Sequence, residues 1–118
     1  MEHGLPAPEP IDDFRATRYS LDESCEVFFP GAGHTRDNVI VWVPRDRVLF
    51  GGCLLKSISS GGLGNTDDAV VAEWAGTVRR VQREYANPSI TVPGHGTIAG
   101  NAASWTLSLL AKNQAAPA

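Results

Sequence analysis

The sequence predicts an α/β fold, a mixed sheet with helices packed on one face that makes up half of a layered structure. Three observations carry this. Short β-branched runs end at Gly or Pro, two segments repeat their apolar residues at helical spacing, and the runs are too apolar to leave one sheet face to water. The elements follow in the order strand, strand, strand, helix, strand, helix. Two helices can cover only one face of such a sheet.

Glu26 to Phe29 is the first strand and stops at the turn signal Pro30-Gly31. Asn38 to Val43 (Asn-Val-Ile-Val-Trp-Val) is β-branched and reads as buried on both sides. Pro44-Arg45-Asp46 turns it into Arg47 to Phe50, so these two runs form a hairpin. Asn65 or Thr66 is placed to cap a helix whose first turn carries Asp67 and Asp68. Its stripe is Val71, Trp74, Val78, Val81 and Tyr85, and Asn87-Pro88 ends it. Ser89 to Val92 is a short strand closed by Pro93-Gly94. The last helix begins near Asn101, with Ala103, Leu107 and Leu110 on one face and Trp105 and Leu109 beside them.

At 118 residues the chain is a single domain at most. Residues 1–12 form a Pro-rich extended lead-in and 113–118 a flexible tail. The net charge of −3 and the lack of any Lys/Arg run argue against a nucleic-acid partner. No stretch approaches the ~20 apolar residues of a membrane span, so no membrane partner is expected. The first residues carry no signal-peptide pattern, and as written the chain would stay in the cytoplasm. Two cysteines in a domain of this size do not make a disulfide framework, so Cys25 and Cys53 are read as free thiols.

The chemistry concentrates at three strand ends. Gly31-Ala32-Gly33-His34-Thr35, Gly51-Gly52-Cys53 and Pro93-Gly94-His95-Gly96 each place a zinc-type ligand beside glycines, just after an apolar run. Taken singly, His34 and His95 are ordinary loop histidines and Cys53 an ordinary thiol. Their shared placement at one sheet edge favours a metal site. The long spacing suits a catalytic-style site, not a zinc finger. Lys56, three residues past Cys53, is either an ordinary solvated lysine or placed to meet an anionic substrate. Asn65, in the Gly-rich loop Gly61-Gly62-Leu63-Gly64-Asn65, is placed either to cap a helix or to donate to an oxyanion. Asp37 and Asn38 are read as hydrogen-bonding the His34 loop. His3 is assigned nothing.

These stretches resemble the metallo-β-lactamases, in particular the di-zinc subclass that uses a cysteine ligand. The similarity covers Val27-Phe28-Phe29-Pro30-Gly31-Ala32-Gly33-His34-Thr35-Arg36-Asp37-Asn38, Val48-Leu49-Phe50-Gly51-Gly52-Cys53, Gly64-Asn65 and Pro93-Gly94-His95-Gly96. It implies the C-terminal half of an αβ/βα sandwich. It also implies that His34 completes a three-histidine zinc site, that Cys53 and His95 bind a second zinc, that Lys56 holds a β-lactam carboxylate and that Asn65 assists at the lactam carbonyl. The family is usually periplasmic or secreted, which leaves the location open. The family's His-x-His-x-Asp motif has no counterpart here, where the histidines are His3, His34 and His95. One copy of the chain cannot complete a two-zinc site, so the resemblance implies a zinc hydrolase whose partial domain is inactive alone. The alternatives are a stand-alone module holding one zinc on His34, Cys53 and His95, and a homodimer of half-sandwiches without lactamase activity.

Overall fold

The computed structural model describes residues 18–115. The proposed lead-in of residues 1–12, with His3, lies outside the described residues. Five strands form one sheet in the order β1 (Arg18–Leu21), β2 (Cys25–Phe28), β3 (Ile40–Val43), β4 (Val48–Gly52) and β5 (Ile90–Pro93). The first four pair antiparallel as successive neighbours. β5 joins β4 in parallel after the helix α1 (Val71–Glu84), and α2 (Ala102–Ala115) closes the fold. The sheet is mixed, as expected.

β1 is an addition to the expected strands. Its hairpin to β2 turns at Asp22 and Glu23, which hold φ of +42° and +73°. Such turns are usually signalled by Asn-Gly or Asp-Gly, and Asp-Glu gives no such signal. Here the Asp22 carboxylate compensates by accepting the Ser24 N–H at 3.3 Å. The β3–β4 hairpin forms where Pro44-Arg45-Asp46 predicted it, with Arg47 at φ +55°.

Strand alternation divides the sheet sharply. Phe28, Ile40, Trp42 and Leu49 face the helices, and Phe28, Ile40 and Leu49 are buried there with Trp74, Val78, Val81, Tyr85, Leu109 and Leu110. The opposite face carries Val27, Val41, Phe50 and Val92 in register across four strands, flanked by Val43, Val48 and Ile90. These remain half-exposed or exposed, Phe50 and Ile90 at 43% each. The expectation of one covered face is met, but the Asn38 to Val43 run is not buried on both sides as its composition suggests: Val41 and Val43 stand half-exposed because no second layer covers that face.

The α1 stripe is buried from Trp74 to Tyr85 as predicted, with Val71 half-buried, but the helix starts later than the Asn65/Thr66 cap would set it. It begins at Val71 behind Val70, which makes no side-chain cap bond. The α2 face centres on Ala102, Ala103, Thr106, Leu109 and Leu110, with Leu107 only half-buried. Asn101 caps it, accepting the Ser104 N–H at 3.0 Å. The helix runs through Ala115, into the segment expected to be a flexible tail, and residues 116–118 lie outside the described residues. No described helix is long and apolar enough to cross a membrane.

Candidate metal and substrate site

The three strand-end loops converge at one edge of the sheet. After β2, the Gly31–His34 loop is tied internally by Asn38, whose Nδ2 donates to the Gly31 carbonyl at 2.8 Å and whose Oδ1 accepts the Thr35 N–H at 3.0 Å. Asp37 accepts the Thr35 hydroxyl at 3.0 Å. Asp37 and Asn38 therefore do the loop-fixing work expected of them. α1 holds the same loop from outside, since Thr77 Oγ1 donates to the Ala32 carbonyl at 2.6 Å and the Val70 N–H to the Gly33 carbonyl at 2.8 Å.

The loops after β4 and β5 meet even more closely. A Cβ on Gly94 would lie 2.7 Å from Cys53 Sγ and 2.8 Å from its backbone nitrogen. Only glycine permits that approach, and it brings His95 beside Cys53. Cys53, Lys56, Gly64, Gly94 and His95 line one cavity of about 130 Å³. Both cysteines are free thiols. The Cys53–Ser60 segment is anchored by the helices. Leu54 O accepts the Trp74 indole N–H at 2.9 Å, the Lys56 N–H donates to Thr106 Oγ1 at 2.7 Å, and Ser60 O accepts the Trp105 indole N–H at 2.9 Å.

His34 is half-buried against Trp74, and burial pulls its pKa below the usual histidine value. The charges of Lys56 and His95 act in the same direction and Asp68 opposes them. The Lys56 ammonium is likewise pulled down by burial, while Cys53 favours its charged form. A neutral imidazole is the form that ligates a metal. Among the described residues, His34 Nδ1 is the one buried side-chain polar atom without a hydrogen-bond partner. Buried polar atoms ordinarily have one, so this orphan and the N, S, N donor chemistry fit zinc. However, no three His, Cys, Asp or Glu groups among the described residues lie together as one ion site. The donors do not assemble as the single-zinc alternative requires.

Asn65 is exposed and is not a helix cap. Its Oδ1 accepts the Asp67 N–H at 2.9 Å in a local turn, and it does not line the cavity that Cys53, Lys56 and His95 share. Trp74 and Thr106 also support the site. Trp74 lies on the apolar stripe of α1, and nothing in its spacing signals that its N–H reaches the Cys53 loop. Thr106 interrupts the otherwise apolar buried face of α2, and that break is its only sequence signal.

No protein-family profile matches the chain. Over 73 residues it is 51% identical to the metallo-beta-lactamase type 2 of Bacillus cereus, covering 62% of this chain and 28% of that protein. Its fold superposes on the structure of TMB-1 with a TM-score of 0.84 at 36% identity, over 91% of this chain and 50% of TMB-1. The chain is homologous to the metallo-β-lactamases. It also matches the mono-zinc form of the metallo-β-lactamase FIM-1 from Pseudomonas aeruginosa, with a TM-score of 0.82 at 35% identity, over 98% of this chain and 52% of FIM-1. The chain thus spans about half the length of these metallo-β-lactamase structures, and less of the Bacillus relative. The five-stranded sheet with two helices is half of a metallo-β-lactamase fold.

Proposed function

We propose that this chain supplies one half of a zinc-dependent β-lactam hydrolase site. The observation that carries the reading is the convergence of Cys53, Lys56 and His95 on one cavity, with His34 half-buried and its buried Nδ1 unpartnered beside them. His34 belongs to one zinc and Cys53 with His95 to a second, which accounts for the lack of a three-donor cluster among the described residues. Zinc, when bound, acts as a Lewis acid and lowers the pKa of a water. Lys56 projects a partly desolvated ammonium where the carboxylate of a β-lactam can pair with it. Asn65, exposed and with its Oδ1 held by the Asp67 N–H, supplies an amide N–H to the lactam carbonyl oxygen as charge develops there.

The remaining ligands come from a His-x-His-x-Asp segment that this sequence does not contain. A layer carrying that segment would also cover Val27, Val41, Phe50 and Val92, so the open site and the open sheet face have one explanation. The homodimer reading is favoured by the same apolar face, but a second copy adds no aspartate from that motif.

The test mixes the purified chain and zinc with the complementary half of a related lactamase and follows a chromogenic β-lactam. The chain alone is inactive, and the mixture hydrolyses the substrate in a manner lost with chelator or Cys53→Ser. Hydrolysis by the chain alone would overturn the half-site reading. A stable complex of the two halves that binds zinc yet stays inactive would overturn the assigned chemistry.

A further inference from the structure

Trp74 is the largest fully buried side chain, and its polar and aromatic contacts run to the two loops that carry the site. Its indole N–H donates to the carbonyl of Leu54, one residue past Cys53, at 2.9 Å. Its ring meets the His34 imidazole edge-on, centroids 5.8 Å apart and planes at 72°. The Lys56 ammonium lies 5.7 Å from the ring centroid, over its face. Gly33 leaves no room between them, because a Cβ there would come within 2.5 Å of Leu54 Cδ1 and 3.1 Å of Trp74 Cδ1.

The segment between β4 and α1 has no strand ladder or helix to fix it. Its carbonyls and amides must find partners elsewhere. A buried indole needs an acceptor for its one donor, and Leu54 O meets that need while anchoring the loop. We propose that Trp74 is a positioning residue that sets the spacing between His34 and the Cys53–Lys56 loop. Its catalytic meaning rests on the zinc hydrolase reading above, whereas the spacing itself is a property of the metal-free chain.

The experiment uses the metal-free full chain in a Cys25→Ser background, so that a thiol reagent reports on Cys53 alone. Trp74→Phe keeps a ring and deletes the donor to Leu54. The control is Val81→Ala, two turns further along α1 and also fully buried, at the cavity wall shared with Leu49 and Tyr85. Trp74→Phe should raise the Cys53 modification rate about fivefold, the change expected from losing one hydrogen bond that holds a loop, and shift the His34 ring resonances. Val81→Ala should lower the unfolding midpoint and leave both readouts unchanged. If Trp74→Phe does not fold, Gly33→Ala presses on the same contact from the loop side and should move the same two readouts. Equal modification rates in variant and parent, or the same increase in the control, would overturn the proposal. Neither readout uses metal, so a failure of the hydrolase reading would appear only in the two-half complementation assay.

Discussion

Gly94 and Gly76 offer the same chemical change with opposite expected signs. At Gly94 an added methyl would sit 2.7 Å from Cys53 Sγ, 2.8 Å from Cys53 N and 2.9 Å from the Gly52 carbonyl carbon. All three fall short of the roughly 3.5 Å at which carbon contacts become favourable. Two of the three atoms are backbone, so no rotamer change relieves the clash and the β4 and β5 ends must separate. Overpacking of this kind costs about 1–3 kcal/mol. At Gly76, exposed in the middle of α1, nothing lies within 4 Å of the new methyl. There the helix propensity of alanine should add about 1 kcal/mol of stability. Equilibrium urea unfolding followed by tryptophan fluorescence reads both changes. Gly94→Ala at or above the stability of the parent would refute the claim that the close approach at Cys53 requires glycine, and Gly76→Ala below the parent would refute the helix-propensity argument at that site.

Three further outcomes follow from other parts of the fold. Thr106→Val removes the fully buried hydroxyl that accepts the Lys56 N–H and keeps the volume, so stability should fall by about 1–2 kcal/mol and the Lys56 amide should exchange faster. Thr106→Ser, which keeps the hydroxyl, should leave that amide protected, and hydrogen-exchange mass spectrometry or NMR separates the two. Burial and then the Glu26 carboxylate hold the Tyr85 hydroxyl above its ordinary pKa. Above about pH 10 the unfolded chain therefore loses a proton that the folded chain keeps. Stability falls there as pH rises, and urea midpoints across that range should show a shallower decline in Tyr85→Phe. The apolar sheet face predicts concentration-dependent association of the chain in light scattering, reduced by Phe50→Lys at its exposed centre.

Much of this architecture was legible because its local signals agree with its tertiary demands. The β3 run is apolar at every position, yet only the side facing the helices is covered here and Val41 and Val43 stand half-exposed, whereas the α1 stripe of Trp74, Val78 and Val81 is the core itself. The Gly-flanked placement of His34, Cys53 and His95 pointed to one sheet edge, and Cys53 and His95 do line one cavity there. The misses have physical causes. β1 follows a turn whose positive-φ residues are Asp22 and Glu23, so no glycine announces it. The α1 start differs from its sequence signal because Asn65-Thr66-Asp67-Asp68 has the chemistry of a helix start yet folds as a separate turn. Asn65 Oδ1 serves Asp67 in that turn, and Val70 N–H is drawn to Gly33 instead. Trp74 and Thr106 support the site through single long-range bonds to Leu54 and Lys56, which no spacing rule encodes.

In the proposed half-site, His34, Cys53 and His95 serve two different ions and complete neither of them within this chain. Zinc retained per chain, by elemental analysis of purified, desalted protein, is the measurement that decides it. Well under one zinc per chain is expected alone, rising when the complementary half is added and falling again in Cys53→Ser. One zinc held tightly by the isolated chain, and lost on replacing any one of the three ligands, would contradict it and establish a single-ion site instead.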